Sequence, residues 1–351
     1  MNIHYKKFKI INGDTLQTLS LKLGLRMDEM IGYHNIYANE KEYIYYDIPI
    51  GLEEIYVYPY IYKKIKDDRL KVKLESNYKL AHKPKKETLK YGVMYFINSG
   101  EDENTVKFEV SVSYLNQDER GLHFEIDKIS PTFINDLEAD IIANELAEKV
   151  SAIVYPLRVI VNHIGKWVSI ANFTEIKSRW DIVKATIYKD YEGEWVDNYI
   201  EKSERNLINE NTFTHSLTDN WFLNTYFGGI YTYYTDSFSF ETNIDFPLII
   251  GIKKLNYSVN YNLQELLNNE DIVKIDVLGI LDDTRSKADL ENNLNFANQV
   301  IEEPNPKKAT GNYQAKYFLD IETQSIESII LECSVNLDKP QKIKVVIALI
   351  D

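Results

Sequence analysis

Cysteine is almost absent: Cys333 is the one thiol in 351 residues. That excludes an internal disulfide, a CxxC redox pair and a thiolate zinc cluster, so the fold does not rely on an oxidising compartment and Cys333 is expected to be a buried, inert thiol. Glycine (14) and proline (9) are scarce too, and with 44% apolar and 27% charged residues the composition excludes collagen-like, low-complexity and wholly disordered chains. No window approaches the roughly 18 consecutive apolar residues of a spanning helix. The richest stretches, Phe246–Ile252 and Ile343–Ile350, have strand length. The first residues alternate polar and apolar with no h-region behind them, so no Sec-type signal is expected and synthesis is expected to be cytosolic.

Catalytic signatures are missing as well. There is no GxGxxG, GxxxxGK[ST], HExxH or GxSxG. The six histidines (4, 34, 82, 123, 163, 215) are scattered, with no two at ligand spacing, so neither a metal nor a cofactor is expected. Asp136, Glu138 and Asp140 are expected on a helix, where i, i+2 side chains diverge. His123, Glu125 and Asp127 share one face of an expected strand. They read as a solvated polar face opposite Leu122, Phe124 and Ile126.

What is abundant is aromatic residues, 26 Tyr and 14 Phe, the composition of a strand-rich globular protein. The length suits two to three domains. Net charge is -14, unevenly spread: residues 62–90 carry 11 Lys/Arg against 4 Asp/Glu, whereas the chain beyond them is strongly acidic. The acidic bulk disfavours nucleic acid and anionic membranes as partners. The basic stretch is either a solvated linker or, from the alternation Leu70-Lys-Val-Lys-Leu74, an edge strand.

The first sixty residues form one unit. Phe8–Ile11 alternates as a strand, and Asn12-Gly13-Asp14 is turn chemistry. Asp14 is placed to N-cap a helix presenting Leu16, Leu19 and Leu23, with Gly24 as its C-cap. A second helix follows from Met27 to Tyr33. Glu54–Pro59 then alternates as a second strand. Three ordered blocks, Phe8-x-Ile10-x-x-Gly13-Asp14-Thr15-Leu16-x-x-Leu19-Ser20, Met30 with Asn35, and Ile48-x-x-Gly51 with Ile55-x-Val57-x-Pro59, resemble the LysM family over about 55 residues. The resemblance implies a βααβ module with a shallow groove for N-acetylated glycans such as peptidoglycan. Its walls would be Gly13, Asp14, Thr15 and Leu16 on one side and Tyr46, Asp47, Ile48 and Pro49 on the other. The loop Asn35–Asp47, with tyrosines at 37, 43, 45 and 46, is longer than the family pattern and either extends a sugar platform or replaces it with a protein-docking face.

Beyond residue 91 strands are expected at 91–98, 105–115, 121–129, 157–161, 167–170, 230–234, 237–242, 248–254, 257–263, 315–319, 326–335 and 342–349. Asn162–Lys166 makes the 157–170 stretch a hairpin with Gly165 in the αL region. Asn172 and Glu175 suggest a capping box for a helix buried through Phe173, Ile176, Trp180, Val183 and Ile187. Residues 282–308 are expected to be a mobile loop. In element order alone, the body resembles the half-barrel of bacterial envelope carrier proteins.

The expected architecture is therefore α+β: a LysM-like module (1–61), a basic linker or edge strand (62–90), and an acidic body of antiparallel sheets with interspersed helices (91–351), divisible into lobes at 91–227 and 228–351. The expected function is that of a non-enzymatic adaptor. Its N-terminal module would dock a protein partner in an assembly resembling phage tails or type VI secretion machines, whose contractile action would offer an export route without a signal peptide. A glycan-binding protein is the alternative, and a wall hydrolase targeted by the module is the third reading.

Overall fold

The computed structural model describes residues 5–11, 13–59, 72, 74–138, 142–265, 272–297 and 307–350. They fall into two compact units, 1–73 with 265–273 and 74–264 with 274–351.

The smaller unit contains β1 (Lys6–Lys9), α1 (Leu16–Leu23), α2 (Met27–Tyr37), a 3₁₀ turn at Glu40–Glu42 and β2 (Glu54–Val57). Its sheet is two antiparallel strands of four residues, with Phe8 opposite Ile55. Leu16, Leu19 and Leu23 recur at helical spacing and meet Met30, Ile44, Ile55 and Val57 in a small core. Asp14 was expected to cap α1, but Thr15 does so. Thr18 N–H donates to Thr15 Oγ1 at 3.2 Å and Thr15 N–H donates to Thr18 Oγ1 at 2.8 Å. The reciprocal pair satisfies two otherwise orphaned donors. The expected βααβ LysM module is corrected as well. What organises the unit is a minimal two-stranded sheet, with the 3₁₀ turn and a long tyrosine loop inserted before the return strand.

In the larger unit the strands are β3 (Thr88–Ser99), β4 (Asp102–Asp118), β5 (Gly121–Lys128), β6 (Phe133–Ile134), β7 (Leu137–Glu138), β8 (Leu157–Val161), β9 (Trp167–Ile170), β10 (Ser239–Phe246), β11 (Leu255–Leu263), β12 (Val273–Leu281), β13 (Thr310–Leu319), β14 (Ile326–Asn336) and β15 (Gln341–Ile350). They join in one 13-stranded sheet whose main path runs β10-β11-β12-β13-β14-β15-β3-β4-β5-β8-β9, with β6 on β4 and β7 on β6. Helices α3 (Ile142–Ala152), α4 (Phe173–Asp190), α5 (Glu194–Asn206), α6 (Glu210–Ser216) and α7 (Trp221–Tyr226) all lie between β7 and β10 in sequence, and α8 (Lys287–Glu291) lies between β12 and β13. This corrects the α+β body of several sheets with helices interspersed: β15 pairs with β3 over ten residues, so both halves of the chain share one antiparallel sheet.

Alternation explains which face is buried. In β11, Leu255, Tyr257, Val259, Tyr261 and Leu263 are buried while Ser258, Asn260 and Asn262 are exposed, and β13 repeats the pattern through Tyr313, Ala315, Tyr317 and Leu319. Into this face packs α7 with the turn after it, through Phe222, Leu223, Tyr226 and Phe227. Tyrosines bring hydroxyls into that interior, and several donate to backbone carbonyls there. Tyr91 donates to the Ile326 carbonyl at 2.6 Å, Tyr317 to the Thr225 carbonyl at 3.2 Å and Tyr231 to the Gln324 carbonyl at 2.8 Å.

Other expectations shift locally. Residues 230–234 make one isolated bridge, Tyr233 with Lys79, and 248–254 are loop, each with buried and exposed residues, and β12 adds a strand the sequence reading did not place. Asn172 turns its side chain to Arg158 N and the Pro156 carbonyl and does not cap α4, whereas Glu175 pairs with Arg158. Asp136 lies in a tight turn at φ +66° between β6 and β7, not on a helix; Asp140 is outside the described residues. So are most of the Leu70–Leu74 alternation and residues 298–306 of the expected mobile loop. The described start of that loop holds α8 and a buried ion pair, Asp283 with Arg285.

Cys333 lies on β14 with no exposed surface, and burial pushes its thiol pKa up to about 12. Native protein is expected to resist maleimide labelling at neutral pH, and protein in denaturant to react stoichiometrically. Rapid native labelling, read by mass spectrometry, would show that β13 and β15 do not cover it.

Candidate functional site

The sequence places two walls of a site in the smaller unit, and the structure treats them differently. Gly13 is exposed, at φ +96°, and opens the turn into α1. The Asp14 carboxylate accepts Ile11 N–H at 3.0 Å and pairs with Lys22, a hydrogen bond that holds its pKa below the ordinary carboxylate value. Thr15 is engaged in the cap and Leu16 is in the core. The first wall therefore offers backbone and little side-chain chemistry.

The second wall is a protruding tip. Tyr46 is 97% exposed, and Tyr45 and Ile50 are exposed beside it. The backbone beneath them is fixed. Asn35 clamps Ile44 on both sides, donating from Nδ2 to the Ile44 carbonyl and accepting Ile44 N–H, each at 2.9 Å. Asp47 Oδ1 accepts Ile48 N–H at 2.8 Å, and Leu52 N–H donates to the Pro49 carbonyl at 3.1 Å. Ile48 and Leu52 pack against the core. Under the clamp, His34 receives Tyr56 N–H on Nδ1 at 3.1 Å, which fixes Nε2 as the protonated nitrogen that donates to the Glu42 carbonyl at 3.0 Å. Burial lowers its pKa, so the ring stays neutral where the clamp needs a donor and an acceptor at once. Beside the tip, Lys7, Lys41, Glu42, Glu53, Glu54 and Tyr56 line a polar groove. Ile50 and the Asn35 clamp were not among the residues the sequence singled out for the site. The Tyr-rich loop was the available signal; Ile50 alternates with Ile48 and Leu52, which pack on the core, so its own exposure was not marked.

The strand trio of the larger unit does not converge on one chemistry. His123 Nε2 lies 3.0 Å from Asp118, while Glu125 is held at 2.8 Å by Arg158, which also binds Glu175. The Arg158 contacts are ion pairs within the sheet and its connections, and His123 stands apart from them beside Asp118.

A second feature was not anticipated. The His82 ring stacks on Tyr231 with centroids 4.0 Å apart and lies parallel to Phe124 at 5.4 Å. Its Nδ1 is buried without a hydrogen-bond partner, and burial drops its pKa to about 3. The adjoining cleft holds about 30 Å³, the scale of roughly two waters. It is too small for a substrate.

No family model matches the chain, and no curated protein does. A solved structure described as "Lipid-protein interactions in lipovitellin" matches at 11% identity with a TM-score of 0.38, over 75% of this chain and 25% of that one. The chain therefore spans about a quarter of that structure's length. Among the described residues no helix is long and apolar enough to cross a membrane.

Proposed function

We propose that this chain is a binding protein that docks a protein partner through the tip Tyr45–Ile50, in an assembly of the phage-tail-like or type VI secretion-like kind that the sequence resemblance implies. One observation carries the reading: large apolar and aromatic side chains are exposed on a backbone that is already hydrogen-bonded and anchored. Preorganised aromatic anchors lose little entropy on association, and such residues dominate protein interfaces. A glycan site favours a concavity with free polar groups. Asp14 and Thr15 are engaged within the fold, and although a polar groove adjoins the tip, its most exposed side chains are the large Tyr46 and Ile50, which favours a protein occupant.

The test uses the full chain with a benzoylphenylalanine photocrosslinker in place of Tyr46, expressed in the host. One protein adduct is expected, identified by mass spectrometry and reduced at least about tenfold by Ile50→Asp, the scale of one lost hot-spot side chain. Absence of an adduct overturns tip docking. Tyr46-dependent pelleting of the same chain with purified peptidoglycan, without a protein adduct, overturns it in favour of the glycan reading.

A further inference from the structure

The two terminal strands of the large sheet do not pair with each other, yet they line one cavity. Trp167 and Val168 of β9 stand on one side, and Asn243–Phe246 of β10 on the other, around about 310 Å³ of open space. The sheet therefore curls until its edges approach, and the cavity sits in the seam. Phe227, Phe246, Tyr261 and Tyr313 supply its apolar wall.

Two cations face this space, Lys166 and Lys254. Both are only partly exposed, and among the described residues neither has a carboxylate within ion-pair distance. Lys254 Nζ donates to Asn224 Oδ1 at 3.1 Å, and its backbone carbonyl is held by Arg285 at 3.0 Å. The Lys166 stem is laid across Gly229, where an added Cβ would come within 2.6 Å of Cε and 2.8 Å of Cγ. Both lysines are thus positioned by the fold. Burial pulls the Lys254 pKa down, and Asp219 and Asp245, beyond ion-pair distance, push it partly back up. Asp245 is the one carboxylate on the cavity wall, and it already accepts Asn256 Nδ2 at 2.8 Å. Two partly buried lysines on one cavity wall, neither in contact with a carboxylate among the described residues, carry a desolvation cost that an anion in the cavity would relieve.

We propose that the seam cavity binds a small organic anion, its carboxylate or phosphate head between Lys166 and Lys254 and its apolar or aromatic body against Phe246, Tyr261 and Tyr313. The shape supports this order. The lysines come from the β8–β9 turn and the turn before β11, whereas the rings belong to the buried face of the sheet. This site is independent of the docking tip.

The full chain can be titrated with anilinonaphthalene sulfonate and, in parallel, with N-phenyl-1-naphthylamine, which has the same rings without the charge. The sulfonate dye is expected to bind one per chain, and Lys166→Met and Lys254→Met are each expected to weaken it by at least about tenfold, one charge-assisted hydrogen bond, while leaving the neutral dye within about twofold. Lys254→Arg is expected to retain binding. Inorganic phosphate, a head without a body, is expected to displace the sulfonate dye competitively at higher concentration. Equal binding of the two dyes, or sulfonate binding that survives both lysine substitutions or resists phosphate, overturns the proposal. Thermal melts of each variant identify any loss caused by unfolding, and Lys166→Met, on a surface turn, decides the matter if Lys254→Met fails to fold.

Discussion

Arg285→Met is expected to destabilise the larger unit by about 3–5 kcal/mol, because it strands a buried carboxylate. Arg285 is fully enclosed. Its guanidinium grips Asp283 through Nε and Nη2, each at 2.8 Å, and reaches the carbonyls of Lys254 at 3.0 Å and Leu294 at 3.2 Å. Asp283 in turn accepts Asn256 N–H at 3.1 Å and Arg285 N–H at 2.9 Å. One pair therefore ties β11, the turn before it and the segment around α8. Removing the cation leaves Asp283 desolvated without its partner, while two backbone carbonyls lose their donor. Adding Asp283→Asn to Arg285→Met is expected to recover part of the loss, since a neutral amide costs less to bury than a lone charge. Urea unfolding of the three proteins at neutral pH checks both statements. A loss below about 1 kcal/mol for Arg285→Met would rank the pair with exposed ion pairs and sink the argument.

The same pair sets a pH dependence. Burial alone would raise the Asp283 pKa, but the Arg285 side-chain and backbone hydrogen bonds, Asn256 N–H and the guanidinium charge outweigh it and leave it below the ordinary carboxylate value. A carboxylate lowered by folding adds stability that is present above its unfolded value and lost as pH falls through its folded value. The wild-type chain should therefore lose this contribution only below about pH 4. In Arg285→Met the carboxylate has lost its main stabiliser, and the added destabilisation relative to wild type should shrink as acid protonates Asp283.

Much of the sheet was legible because its strands bury one face. The alternation Leu255-Asn-Tyr257-Ser-Val259 leaves little choice of conformation, and β13, β14 and β15 read nearly as well. Short apolar runs without alternation were not. Ile230, Tyr231 and Tyr234 are buried around a single bridge to Lys79, and Leu248 and Ile252 are buried in a loop; burial without an extended ladder looks the same in sequence. The single sheet was not legible at all, since β15 joins β3 across some 250 residues of chain. Asn172 illustrates a finer limit. It stands at a helix start with Glu175 three residues on, yet the chain before β8 competes for its amide and takes it. At the tip, the Tyr-rich loop was visible, but its fixation by Asn35 depends on a reciprocal contact nine residues away. The seam cavity depends on edges far apart in sequence, so neither lysine could be singled out.

Gly228→Ala tests how tightly the interior that shapes the seam is packed. Gly228 has no positive φ, so its backbone would accept alanine. The obstacle is space: an added Cβ would run into Tyr317 Oη and lie 3.2 Å from the Thr225 carbonyl, the very groups that hydrogen-bond each other. The Gly228 carbonyl also accepts the Tyr261 hydroxyl at 3.3 Å. Relieving the clash must displace Tyr317 or the turn after α7, and the expected cost is about 2–4 kcal/mol from overpacking together with a weakened buried hydrogen bond. Tyr317→Phe removes the clashing oxygen. Alone it is expected to cost about 1–2 kcal/mol, because it orphans the Thr225 carbonyl. Combined with Gly228→Ala it should cost less than the two separate losses together by at least about 1 kcal/mol, the signature of a shared contact. Gly51→Ala separates this mechanism from backbone strain. That residue has φ +89° with nothing within 4 Å of the added carbon, so its cost should be the left-handed penalty of about 1–2 kcal/mol and should not change with Tyr317→Phe. Additive losses for Gly228→Ala and Tyr317→Phe in urea unfolding would mean that the turn yields without touching Tyr317, and the packing assigned to this interior would be wrong.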